Sequence, residues 1–120
     1  MHLPNFENAL IDLRKLTAYV LDPESPRGRH KARVFKAALG YTIDSAEDLR
    51  DAIFACLPNA EAAIGEVDFF GKRFTVDCRM ETDVGEATVR TCWIVRQKET
   101  FPRLTTCYVL KERIENETKD

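Results

Sequence analysis

A few polar side chains sit where packing alone would prefer apolar ones: His30, Lys31, Arg90, Thr91, Arg103, Thr105 and Thr106. These types suit metal-independent cleavage of RNA, in which the 2′-hydroxyl attacks the adjacent phosphate. That reaction needs a base, an acid and fixed cations for the charge growing on phosphorus, and neither a metal nor a covalent nucleophile. His30 could be the base or acid, and Lys31 and Arg90 could hold the phosphoryl oxygens. Arg103 could act as a planar donor fork, with the threonine hydroxyls orienting the phosphate. Trp93 or Tyr108 could stack a base, though each also suits a core aromatic whose polar tip is satisfied. Plainer readings stand beside these: an imidazole at His30 satisfied by a nearby carbonyl, and Arg90 as a cross-strand charge partner.

The stretch from Arg27 to Lys36 gathers this chemistry. Six of its ten side chains are basic or titratable and none is acidic, in a chain whose formal net charge is −2. A local cationic block on an acidic background suits an anionic partner, with Arg27, Arg29 and Arg33 as candidate substrate contacts. The bland alternative is a solvated helix start whose Val34, Phe35, Ala38 and Leu39 enter the core. Phosphate-cradling glycine loops, dinucleotide fingerprints, zinc-protease and serine-hydrolase motifs are absent from the sequence. Asp44, Glu47, Asp48 and Asp51 surround a predicted helix start, where the dipole accounts for them.

The elements that must position these residues follow from periodicity. Asp12 suits an N-cap for a first helix carrying Leu13, Leu16 and Val20 and ending near Asp22-Pro23. Two prolines then force an ordered loop. A second helix runs from about Arg29 to Leu39 and stops at Gly40; it places His30 one turn before Val34 and Lys31 one turn before Phe35, so that both are candidates to point into a cleft. Ser45 with Asp48 resembles a capping box for a third helix through Leu57, and residues 60–65 form a connector with room for a short helical turn. After Gly65 the period becomes two. Strands are expected at 66–69, 74–80, 86–97 and 103–110, with Leu104, Thr106 and Tyr108 alternating against Thr105, Cys107 and Val109. Helices followed by a meander predict an α+β fold, with N-terminal helices packed on a four-stranded antiparallel sheet.

With 120 residues, 44% of them hydrophobic, the chain suits one compact domain over residues 1–110 and a charged tail over 111–120. The balance of 18 basic and 20 acidic residues excludes a polybasic coat protein but leaves room for a basic cleft. Cysteines at 56, 78, 92 and 107 form no C-x-x-C pair, and two histidines cannot complete a zinc site, so no metal or cofactor is expected. Cysteines in apolar runs, no signal peptide and no membrane-length segment predict free thiols in a soluble cytoplasmic protein, away from any membrane.

The segment from Leu21 to Phe35, containing Pro26-Arg27-Gly28-Arg29-His30-Lys31-Ala32-Arg33-Val34-Phe35 and followed by Leu39-Gly40, resembles the hallmark of a bacterial family of unknown function. Its members occur as small stand-alone proteins and as C-terminal domains of polymorphic toxins. A second hallmark is similar here: an aromatic residue before Gly71-Lys72-Arg73-Phe74, then Thr88-Val89-Arg90-Thr91-Cys92-Trp93-Ile94-Val95, and the run from Phe101 to Val109. The order of helices and strands further resembles the barnase, EndoU and RelE group of ribonuclease toxins. That resemblance implies active residues on an N-terminal helix and the sheet face, here His30, Lys31, Arg90, Thr91 and one of Arg103, Thr105 or Thr106. It also implies an RNA substrate and a cognate inhibitor protein. The expectation is therefore a metal-independent ribonuclease of toxin type, its rival a non-catalytic module binding a protein or nucleic acid.

Overall fold

The structure, a computed structural model, describes residues 1–111, so the expected tail lies outside the described residues from 112 onward. Two helices, α1 (Arg29–Leu39) and α2 (Ala46–Cys56), precede four strands, β1 (Ala62–Asp68), β2 (Gly71–Glu81), β3 (Glu86–Arg96) and β4 (Arg103–Val109). The strands form one antiparallel sheet in sequence order. This is the α+β architecture that the switch from helical to twofold period implies.

Helix α1 forms because Ala32, Phe35 and Leu39 share a buried stripe. Gly40, at φ 79°, ends it by donating its N–H to the Phe35 and Lys36 carbonyls, a left-handed geometry that a side chain would strain. Its start is held by Ser25, whose hydroxyl accepts the Gly28 N–H at 3.0 Å and whose carbonyl accepts the Arg29 N–H at 2.9 Å. A Cβ on Gly28 would fall 1.8 Å from the Tyr19 carbonyl oxygen, so only glycine lets α1 press against the segment before it.

That preceding segment is not the full helix expected from Asp12. Asp12 does accept the Arg14 backbone N–H at 3.0 Å, but the chain then widens into a π-helical turn over Leu16–Val20, closed by Leu21 N–H to Leu16 O at 2.8 Å. Before α2, the reciprocal cap joins Thr42 and Ser45 across a 3₁₀ turn, Ile43–Ser45. The Ser45 hydroxyl is thereby engaged by the Thr42 N–H at 2.9 Å, which displaces the expected box with Asp48. Residues 57–59 form another 3₁₀ turn, and β1 begins at Ala62 because Ala62 to Ile64 pair with Val76 to Phe74 where a connector was expected.

One face of the sheet carries Phe74, Val76, Cys78 and Val89 into a core completed by Leu16, Val20, Phe35, Leu49 and Ile53. The opposite face carries Thr75, Asp77, Arg79, Arg90 and Cys92. Strand β4 does not alternate as expected. A bulge at Thr105 sets Leu104 opposite Trp93 and Thr106 opposite Cys92, with the Thr105 hydroxyl donating to the Cys92 carbonyl at 3.1 Å. Leu104 and Cys107 therefore enter the core, while Thr106 and Tyr108 share the open face with Arg90.

The expectation of free thiols is corrected at two of the four cysteines. Cys56, at the end of α2, is disulfide-bonded to Cys78 of β2, with Cα atoms 5.9 Å apart, which leaves Cys92 and Cys107 free. Burial pushes the Cys107 thiol up to about 12. Among the described residues no helix is long and apolar enough to cross a membrane.

Candidate functional site

Successive residues of α1 are about 100° apart, and this divides its basic start among three directions. With Ala32, Phe35 and Leu39 buried, Lys31 lies on one shoulder of the buried stripe and Arg29, Arg33 and Lys36 on the other. His30 falls on the outer side, where it is exposed and makes no hydrogen bond or ion pair among the described residues. The expectation that His30 enters a cleft with Lys31 is thus corrected by the helical phase: Val34, its neighbour one turn on, is only half-buried.

Lys31 reaches the edge of β4. Its Nζ donates to Tyr19 Oη at 2.7 Å and to Thr106 Oγ1 at 3.1 Å. It lies 4.7 Å from the Tyr19 ring centroid and 5.6 Å from that of Tyr108. No carboxylate pairs with it among the described residues, unlike Arg14, Arg73, Arg90 and Arg103, each of which has one. An ammonium has three donors, and two hydroxyl partners leave one for a ligand. The hydrogen bond from Lys31 pulls the Tyr19 phenol below the ordinary tyrosine range, helped by Thr106 and by the cations of Lys31 and Arg27, while burial opposes it.

The same tyrosine lines a cavity of about 500 Å³ with Asp12, Arg14, Lys15 and Arg27. Arg14 grips Asp12 through two side-chain bonds of 3.1 and 2.8 Å and holds that carboxyl at about 2. The wall is therefore cationic on balance, as an anion site requires.

The remaining sequence candidates are dispersed. Arg90 lies on the open face across from Tyr108, but its guanidinium is gripped bidentately by Asp77 at 2.9 and 3.0 Å, the cross-strand pairing that was its plainer reading. Arg103 is likewise held by Glu99 at 2.9 and 2.8 Å and sits over the Phe101 ring. Thr91 and Trp93 are core residues: Trp93, 1% exposed, donates its indole N–H to Thr91 Oγ1 at 2.8 Å, and Thr91 donates to the Val76 carbonyl at 2.8 Å. Neither presents a surface to a phosphate or a base, which corrects their candidacy. Arg29 and Arg33 line a different groove, about 640 Å³, with Leu21, Pro23 and Tyr41.

Of the candidates, the structure brings together Lys31, Thr106 and Tyr108, with Arg27 nearby and Arg90 on the adjoining strand. It adds Tyr19, which sequence reasoning missed. The available signal was a tyrosine between Leu16 and Val20, on a segment otherwise read as an apolar stripe. No curated protein and no solved structure matches the chain. Residues 2–111, nearly all that the structure describes, match a domain of unknown function, DUF6883, and the chain belongs to that family.

Proposed function

We propose that this domain is a metal-independent ribonuclease of toxin type, working at the Tyr19, Lys31 and Thr106 cluster. The observation that carries the reading is the Lys31 ammonium, fixed by two hydroxyls and, among the described residues, left without a carboxylate beside a cationic cavity. A half-buried cation with no counter-charge among the described residues is costly to keep for packing alone and well suited to a phosphoryl group. In this reading Lys31 and the Thr106 hydroxyl hold the non-bridging oxygens. The ribose 2′-oxygen attacks phosphorus as its proton passes to solvent water, since His30 faces away from Lys31 on the outer side of α1. The bond from phosphorus to the 5′-oxygen breaks, and the Tyr19 phenol protonates that leaving oxygen. The products are a 2′,3′-cyclic phosphate and a free 5′-hydroxyl. A nuclease of this type implies a cognate inhibitor protein that covers the site in the cell that makes it.

Incubation of the purified protein with total RNA and tRNA in EDTA tests this, with wild type beside Lys31→Ala and His30→Ala. Cleavage leaving cyclic phosphate ends, and lost in Lys31→Ala, supports it; intact RNA with a folded, inhibitor-free protein refutes it. A non-catalytic RNA-binding module is the second reading. It is favoured by the lack of any contact to His30 among the described residues, and it predicts RNA binding without turnover.

A further inference from the structure

We propose that the Phe69-Phe70 turn is a base-stacking subsite and that the ligand running between it and Lys31 is single-stranded RNA. The inference rests on the RNA-directed reading of the Lys31 site and extends it to a second place on the surface. The two rings are the most exposed large apolar side chains described, at 79% and 66%, and they meet edge to face with centroids 5.8 Å apart. Exposed aromatics on a hairpin tip gain nothing from the core. Yet their turn is fixed: the Phe70 N–H donates to the Asp68 carboxylate at 2.9 Å, and the Phe70 carbonyl accepts the Gln97 N–H at 3.3 Å. The rings are therefore presented on a held backbone.

Three cavities connect that turn to the Lys31 site. The one beneath the rings is also bounded by Arg73, Ile94, Arg96 and Thr105. A small one beside it shares Ile94, Arg96 and Thr105 and adds Lys15, Asp12 and Arg103. The cavity at Tyr19 shares Asp12 and Lys15 in turn. The result is a track with cations along its length and rings at one end. Along β3, the distance from Cys92, opposite Thr106, to Arg96, opposite Gly71 at the turn, is about 13 Å. Cations that follow a backbone and aromatic faces that take unpaired bases are the two components of single-strand recognition, and a duplex has no free base to offer the rings.

The test is binding by fluorescence anisotropy. The probes are a short labelled RNA, 2′-O-methylated throughout so that it cannot be cleaved, and the same sequence as a duplex. The variants are the double substitution Phe69→Ala/Phe70→Ala, the double substitution Phe69→Trp/Phe70→Trp, and Phe54→Ala as an exposed control on α2. The inference expects single strands to be preferred, the double alanine variant to bind roughly tenfold or more weakly, and the tryptophan variant and the control to keep wild-type affinity. Equal affinity in the alanine variant, or preference for the duplex, overturns it. So does a wild type that ignores RNA but self-associates through these rings. The two proposals fail separately: cleavage that is indifferent to the phenylalanines removes the subsite alone, and ring-dependent RNA binding without cleavage removes the nuclease alone.

Discussion

Replacing Lys31 with methionine separates its charge from its bulk. Methionine keeps an unbranched stem against the Tyr19 and Tyr108 rings and removes the ammonium. On stability the change should be small. Two hydrogen bonds to hydroxyls are lost, each with a net worth of about 1 kcal/mol, and the half-buried Tyr19 and Thr106 can turn to water instead. On the transition state the loss should be large, because a fixed donor aimed at developing phosphoryl charge typically contributes roughly 10²- to 10³-fold. The assay is single-turnover cleavage of a fluorogenic RNA in EDTA, paired with a denaturant melt. The expected result is a rate lower by about two orders of magnitude or more with a nearly unchanged midpoint. A variant that folds normally and cleaves within a few-fold of wild type would falsify the assignment of Lys31 to the phosphate. A companion measurement is the tyrosinate absorbance of Tyr19, which should titrate nearer the ordinary range of about 10 once the Lys31 hydrogen bond is gone.

Further predictions concern the frame around that site. Thr91→Val should cost about 1–3 kcal/mol of stability, because it strands the Trp93 indole N–H in the core and removes the hydroxyl's bond to the Val76 carbonyl; an unchanged denaturation midpoint would count against this. Gly28→Ala should destabilise by about 1–3 kcal/mol or more and lower cleavage too, since the new methyl collides with the Tyr19 backbone; wild-type activity in a folded variant would contradict the coupling. Thiol titration under denaturing, non-reducing conditions should find Cys92 and Cys107 only, and replacing Cys56 and Cys78 with serine should cost about 3 kcal/mol for the loop they close. A Tyr19 acid with its pKa lowered should lose activity, as pH rises, sooner than an ordinary phenol would. Its folded-state preference for the phenolate adds stability that builds up as pH rises through the lowered pKa and is fully present above about 10. Denaturant melts of Tyr19→Phe should therefore show a loss of about 1 kcal/mol at neutral pH, from the lost Lys31 hydrogen bond, that grows as pH rises toward about 10; a pH-independent difference would contradict this.

Much of the frame was legible because it follows from local rules. Phe35 and Leu39 with Gly40 beyond them place α1 where periodicity puts it, though Ala32 completes the buried stripe in place of Val34 and Ala38, and the alternation of Phe74, Val76, Cys78 and Met80 fixes the core face of β2. What stayed hidden depends on contacts across the chain. The Thr105 bulge has no glycine or proline to announce it, and strict alternation through 103–110 puts Leu104 on the same face as Thr106. The Cys56–Cys78 bond needs the end of α2 to meet β2, a meeting that no spacing in the sequence reports. Within the site, Lys31 and Thr106 were named and Tyr19 was not, since a phenol on an apolar segment reads as core until an ammonium is found at its tip. Arg90, Arg103, Thr91 and Trp93 stood out for polarity or size, and the structure gives each a partner that accounts for it.

The Thr105 bulge and the close approach at Gly28 act on the same three side chains. The bulge turns Thr106 outward, so that a hydroxyl stands at the edge of β4 where α1 passes. The missing Cβ of Gly28 lets α1 approach the π-helical turn closely, and so brings Lys31 within 2.7 Å of the Tyr19 hydroxyl. Without the bulge, alternation would point Thr106 into the core and leave the ammonium a single partner. Without the glycine, Tyr19 and Lys31 would be pushed apart, and the phenol would lose the hydrogen bond that lowers its pKa. Each device costs regularity in its own element, a broken ladder in β4 and a widened turn before α1. The bulge also serves the core by turning both Leu104 and Cys107 into it, and the widened turn buries Leu16 and Val20. The geometry they produce together is one cation, two hydroxyls and an open side, and that is the part of the fold for which an anionic ligand gives a physical reason.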